Sequence, residues 1–267
     1  MFLYGILDRA LPWSGLKCGA QVAVKIHAQD EQALDMAVNM GCYNRELLFY
    51  KEIKDKIPLV TPKALAMWTD GKPLDEEGTN VRFFCLMMDD LVAAGWEAFG
   101  VVDAPDMDQL ISMVPSLVTL HSTFWEDPMI KIFPLSLIPG GHVGNPIFDM
   151  LAPMLHTMLP GFIETIPEKF GWDEGWQEEF KAFITVAKWL AEDDSKRMVQ
   201  LNKAWFTIQD KERPHTLCHG DFNAGNCWKP KAGAKQRNSG FLFADWQIMG
   251  INSPTYDKTL PQIYNVL

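Results

Sequence analysis

The sequence predicts an α+β fold of two lobes: a small mixed N-terminal lobe over residues 1–90 and a mainly helical C-terminal lobe over residues 91–267. Three observations carry this. Two short runs, residues 21–27 and 81–88, are rich in β-branched, aromatic and other apolar residues, as strands are. Beyond Leu91 the apolar residues recur at helical spacing. The shift between these two characters falls near residue 90 and places the boundary there.

The elements follow in chain order. The start, Met1-Phe2-Leu3-Tyr4-Gly5-Ile6-Leu7-Asp8, lacks a basic segment and a long apolar core, so it makes a poor signal peptide. Gln21-Val22-Ala23-Val24-Lys25-Ile26-His27 alternates and reads as a strand. A helical stretch is expected from about Asp30 to Lys56, ending before Pro58. Pro58, Pro62, Pro73 and Asp70-Gly71-Lys72 read as turns. Val81 to Met88 is a second strand, closing on Asp89-Asp90-Leu91. Met107 to Trp125 is expected to be helical, with Leu110, Ile111, Val114, Leu117, Val118, Leu120 and His121 near one face. Residues 131–146, rich in Pro and Gly, read as a loop. Residues 176–208 read as a long helix, interrupted near Asp193-Asp194. No internal repeat or low-complexity tract is visible.

Bulk properties narrow the function. Apolar content of 48% with 22% charged residues is ordinary for a globular enzyme. A formal charge of −10 and a pI near 5.1 argue against a nucleic-acid partner, which needs a clustered basic face. No apolar run is long enough to cross a bilayer, so no membrane partner is expected. The cysteines, Cys18, Cys42, Cys85, Cys218 and Cys227, are odd in number and dispersed. That argues against a disulfide framework and a disulfide-linked partner, and a cytoplasmic chain with reduced thiols is expected. Zinc held by Cys218, His219 and Cys227 is disfavoured, because the spacing does not match known zinc sites.

The most informative segment is His219-Gly220-Asp221-Phe222-Asn223-Ala224-Gly225-Asn226, with Asp245 downstream of an apolar run, Phe241-Leu242-Phe243-Ala244. Taken singly, Asp and Asn are turn formers. Together they hold the chemistry of phosphoryl transfer. Asp221 can take the proton of an attacking hydroxyl, while Asn226 and Asp245 offer oxygen ligands to Mg²⁺. Upstream, Lys25 lies among apolar strand residues, and Glu46 follows in Asn44-Arg45-Glu46-Leu47-Leu48-Phe49-Tyr50.

This order of Lys, Glu, His-Gly-Asp, Asn and Asp resembles the protein-kinase-like superfamily. More closely it is similar to the aminoglycoside phosphotransferase, choline kinase and ecdysteroid-kinase-like branch, whose loop reads His-Gly-Asp. The resemblance spans about residues 20–260 and implies a two-lobed kinase-like fold that transfers the γ-phosphoryl of ATP to a small hydroxyl acceptor. It implies Asp221 as the base, Asn226 and Asp245 as Mg²⁺ ligands, Lys25 as the phosphate clamp and Glu46 as its partner. Glu52, on the same expected helix, is the competing acid. Asp89, in Leu86-Met87-Met88-Asp89-Asp90-Leu91, falls at the implied hinge that reads the nucleotide base. His219 is expected to support the loop backbone, and His121, in Leu120-His121-Ser122, to be a packed core residue. Asp257 resembles a structural aspartate of the family.

The sequence also departs from the pattern. No Gly-x-Gly-x-x-Gly precedes Lys25; Trp13-Ser14-Gly15 and Cys18-Gly19 are weak substitutes. Related proteins continue well beyond the position of Asp257. The rival expectation is therefore a catalytically inactive kinase-like protein that binds a nucleotide or metabolite, as a truncated family member. Gly220 replaces the Arg of protein kinases and no Ala-Pro-Glu follows Asp245, which favours a small-molecule acceptor over a protein one.

Overall fold

The computed structural model describes residues 2–6, 21–57, 59–70, 81–99, 107–128, 214–233, 240–254 and 257, together with helical positions at Gly161, Thr185, Trp189, Lys196, Arg197 and Gln200. The expected loop at residues 131–146, the glycines ahead of Lys25 and most of the helix at 176–208 lie outside the described residues. Helices and small antiparallel sheets are both present, as an α+β fold requires.

A four-stranded antiparallel sheet is built from β1 (Phe2–Ile6), β2 (Gln21–Ile26), β3 (Ala64–Thr69) and β4 (Phe84–Asp89), in the order β1-β2-β4-β3. Lys25 of β2 faces Leu86 of β4, and Ala23 faces Met88. Side chains alternate across a strand, so these four and Phe84 share one buried face. Two of these strands were not foreseen. β3 follows the proline-punctuated stretch read as turns, and β1 forms from the segment weighed only as a leader.

The expected helical stretch from Asp30 to Lys56 is present, with an interruption after Asn39. Asp30 caps α1 (Glu31–Asn39) by accepting the Ala33 N–H at 2.9 Å. Gly41 then adopts φ +64°, a left-handed geometry that glycine enters at no steric cost, and α2 (Cys42–Leu48) restarts in a new direction. It runs into a π-helical turn over Phe49–Ile53 and a 3₁₀ turn over Lys54–Lys56. This run carries the centre of the core. Leu47, Phe49 and Ile53 are fully buried with Phe84 and Leu86 of the sheet. Truncating such a residue to Ala costs about 2–5 kcal/mol.

The remaining strands are short. β5 (Trp96–Ala98), β7 (Cys227–Pro230) and β8 (Leu242–Phe243) form one antiparallel sheet, and β6 (Thr216–Cys218) pairs with β9 (Gly250–Asn252). The long helix α3 (Met107–Thr123) packs against β6. Its buried face carries Met113, Leu117, Leu120 and His121, continued by Phe124 beyond its end, whereas Ile111, Val114 and Val118 are exposed. The expected face was therefore too broad, because at 3.6 residues per turn only one stripe meets the core.

The chain divides into two compact units, Met1–Pro139 with Pro214–Leu267, and Gly140–Arg213. All the numbered elements belong to the first. In the second, Arg197 donates to the Trp189 carbonyl at 3.1 Å and stacks over its ring. Among the described residues no helix is long and apolar enough to cross a membrane.

Candidate functional site

Lys25 is the pivot of the site. Its Nζ donates to Glu46 Oε2 at 2.6 Å and to Asp245 Oδ1 at 2.7 Å. Residues on β2, on α2 and after β8 thus meet at one ammonium group. Glu46 is nearly inaccessible, while Asp245 keeps about a fifth of its side chain exposed. Glu52, the competing acid, is exposed on the π-helical turn.

The charges in this cluster oppose one another. Burial lowers the Lys25 pKa, but the adjacent Glu46 and Asp245 carboxylates more than reverse this and hold the ammonium charged. Burial pushes the Glu46 carboxyl up to about 7; Lys25 pulls it down and Asp245 pushes it further up. The two partners therefore shift unequally. The lysine gains two anions, whereas the glutamate has lost its hydration and shares one cation with a second acid.

The catalytic-type loop is held by its backbone. Asp257 is fully buried and its Oδ2 accepts the His219 N–H at 2.9 Å, while its Oδ1 accepts the Gly220 N–H at 2.9 Å. His121 Nε2 lies 2.9 Å from the same Oδ2. Gly220 has φ +86°, and a Cβ there would lie 2.0 Å from the Ile248 carbonyl oxygen. The side chain that Gly220 replaces in protein kinases thus has no room here. His219 Nδ1 accepts the Asp221 N–H at 3.3 Å, so its Nε2–H is the donor to the Ala244 carbonyl at 3.0 Å. That bond ties the Asp221 loop to the strand leading into Asp245.

Asp221 is oriented on both oxygens. Asn223 Nδ2 donates to Oδ1 at 2.7 Å, and Asn226 Nδ2 donates to Oδ2 at 3.0 Å and to the Asp221 carbonyl at 2.9 Å. The 3₁₀ turn over Ala224–Asn226 makes this possible by folding Asn226 back over the loop. Asp245 adopts φ +65°, a left-handed conformation uncommon for non-glycine residues and concentrated at functional sites. The following Trp246 is fully buried, stacked on Phe49 at 4.0 Å and tilted against His219 at 4.4 Å. One indole therefore couples the Glu46-bearing run, the His219 loop and Asp245.

Of these groups Glu46, Asn226 and Asp245 line a cleft of about 130 Å³, together with Ala23, Met88, Leu91, Gly225, Trp228 and Ala244. Its lining joins two carboxylates and an amide to apolar side chains, a mixture suited to a ligand with both charged and flat apolar portions. Asp89 closes β4, where its Oδ1 accepts the Lys63 N–H at 2.7 Å and its own N–H donates to the Lys63 carbonyl. Its side chain is thus engaged with the β3 edge, and burial raises its pKa.

Asn223, the Phe49–Trp246 stack and the anchoring of two loop amides by Asp257 were not assigned from sequence. Only Asp257 had a signal, its position after Asp245. His121, Cys218 and Asp257 also lie close enough to share a cation, but their polar atoms are already paired: His121 with Asp257, Asp257 also with the His219 and Gly220 amides, and the Cys218 thiol with the Ser253 carbonyl at 3.4 Å. The zinc idea for Cys218, His219 and Cys227 gains nothing from the fold. His219 has both ring nitrogens committed, and Cys227 is a buried thiol whose pKa burial raises further.

The profile of the ecdysteroid kinase-like family matches residues 14–259. The chain belongs to this family. It is the ecdysteroid-kinase-like branch that the resemblance named. No curated protein matches the chain. Solved structures similar to it include an aminoglycoside-3′-phosphotransferase of type VIII, at 12% identity and TM-score 0.46, covering 98% of this chain and 77% of that one. Another is the aminoglycoside phosphotransferase APH(3″)-Id from Streptomyces rimosus in complex with ADP and streptomycin, at 12% identity and TM-score 0.43, covering 92% and 72%. A third is the GDP complex of aminoglycoside 2′-phosphotransferase-IIIa, at 13% identity and TM-score 0.44, covering 91% and 67%.

Proposed function

We propose that this ecdysteroid kinase-like chain is an ATP-dependent phosphotransferase acting on a hydroxyl group of a small organic molecule, in the cytoplasm. Its lobes would be residues 1–90 and 91–267, with the hinge at Asp89. The observation that carries the reading is the meeting of Glu46, Asn226 and Asp245 on one cleft, with Lys25 bonded to both Glu46 and Asp245 and Asp221 bonded to Asn226. Groups up to 220 positions apart in sequence converge there, which isolated turn residues have no physical reason to do.

The donor set suits Mg²⁺. Asn226 directs its amide nitrogen at Asp221, which leaves the amide oxygen, and Lys25 engages only Oδ1 of Asp245. Two hard oxygens on one cleft wall match this cation's preference. When bound, Mg²⁺ supplies charge neutralisation across the phosphate oxygens. Lys25, oriented by Glu46, exchanges Asp245 for nucleotide phosphate oxygens. Asp221, its carboxylate fixed by Asn223 and Asn226, aligns the acceptor hydroxyl and takes its proton as the oxygen bonds to the γ-phosphorus and ADP departs. The apolar lining residues Ala23, Met88, Leu91 and Trp228 would hold the base.

A library of hydroxyl metabolites incubated with labelled ATP tests this. Transfer to at least one class, lost in Asp221→Asn, is expected. Tight nucleotide binding with no transfer to any class would instead make the chain a silent binder.

A further inference from the structure

Among the described residues, Glu46 Oε1 and the Tyr50 hydroxyl, beside the lysine clamp, are buried with no hydrogen-bond partner. Lys25 takes the other Glu46 oxygen, Oε2. Glu46 is 1% exposed and Tyr50 7%. One atom is a pure acceptor and the other a donor, and an unpaired buried polar atom is costly enough that native proteins rarely keep one.

Their placement is complementary. Tyr50 follows Glu46 by four residues in one continuous helical run, and helical side chains lean toward the N-terminus, so Tyr50 leans over the turn that bears Glu46. Between them the α-helix widens into the π-helical turn that begins at Phe49. Such turns recur at functional sites because they shift the register of the residues they carry. Burial, followed by the charges of Glu46, Asp245 and Asp89, raises the Tyr50 hydroxyl pKa, which keeps it a donor.

We propose that Tyr50 is a positioning residue for the phosphate clamp: its hydroxyl donates to Glu46 Oε1, directly or through one water, when nucleotide draws Lys25 away from Asp245. At that moment Glu46 is the carboxylate left to Lys25, and a carboxylate held on both oxygens cannot swing out of line. This rests on the phosphotransferase reading, because nucleotide binding is what brings the contact about.

The test has two arms on the full chain. In the first, Mg·ADP affinity is measured for wild type, Tyr50→Phe, Glu46→Gln and the double variant. Tyr50→Phe keeps the ring and should weaken binding about fivefold, the scale of one net hydrogen bond, and less than twofold in the Glu46→Gln background. Equal loss in both backgrounds would overturn the proposal, because the ring would then act without Glu46. The second arm needs no activity. The chain has five tyrosines, so the Tyr50 ¹³Cζ resonance is assigned by its loss in Tyr50→Phe and followed as Mg·ADP is added. A nucleotide-dependent shift that Glu46→Gln abolishes supports the hydrogen bond; a resonance indifferent to Glu46→Gln refutes it. If the chain binds no nucleotide, the phosphotransferase reading fails and this proposal with it; if Mg·ADP binds and the resonance ignores Glu46→Gln, only this proposal fails.

Discussion

Replacing Lys25 with Met removes the cation from a buried cluster while nearly preserving volume, and the consequence for stability can be worked from Glu46. Lys25 is what pulls the Glu46 carboxyl down, so without it that group's pKa moves above about 7, against 4.5 when free in water. The folded state then binds a proton that the unfolded state has released. Stability falls as pH rises from 4.5, by about 1.4 kcal/mol per pH unit. Relative to the acid side the loss is about 0.7 kcal/mol at pH 5 and about 3.4 kcal/mol at pH 7. The latter is near the cost of stripping one partner from a buried ion pair. Asp245, more exposed, keeps part of its hydration. Urea unfolding of Lys25→Met at pH 5, 6 and 7, referenced to Lys25→Met/Glu46→Gln, isolates the Glu46 contribution, since Asp245 is common to both. The two variants should diverge by about 2.7 kcal/mol between pH 5 and 7. Parallel pH profiles would refute the argument, because Glu46 would then not be the group forced to protonate.

Gly220→Ala should destabilise by roughly 4 kcal/mol or more in chemical denaturation, since its Cβ would overlap the Ile248 carbonyl. Gly233→Ala, also at positive φ but in open space, should cost only about 1–2 kcal/mol. Asp257→Asn sets an amide N–H₂ against a backbone donor or His121 and should cost roughly 3 kcal/mol, with amide exchange at His219 and Gly220 rising most. Asp245→Asn should erase most of the difference between the thermal stabilisation by ATP with Mg²⁺ and with EDTA; an unchanged difference would remove Asp245 from the metal site. Asp221→Asn should keep nucleotide affinity and lower turnover about a hundredfold, read by isothermal binding and steady-state assay.

The family was legible from sequence because its chemistry is concentrated in short stretches: His219 to Asn226, then Asp245 after an apolar run. Local backbone geometry needs those residue types at those spacings, so spacing alone points to them. Lys25 was placed on a strand for a similar reason, since alternation is a local property. The choice between Glu46 and Glu52 was not local. Both carry the same charge on one helical run, and only the break at Gly41 together with packing of α2 on the sheet turns Glu46 inward. The strands β1 and β3 escaped notice because pairing with a distant partner, not propensity, makes them strands. The exposed and buried faces of α3 likewise depend on which neighbour the helix meets. The same holds for Asp257, which the resemblance marks as structural without saying what it holds, and for Trp246, which sequence shows only as an aromatic. Their work, anchoring two loop amides and stacking between Phe49 and His219, exists only once residues far apart in the chain are brought into contact. Residue type and spacing set what chemistry the chain could hold; tertiary packing decided which oxygen, which ring and which N–H stand within reach of one another.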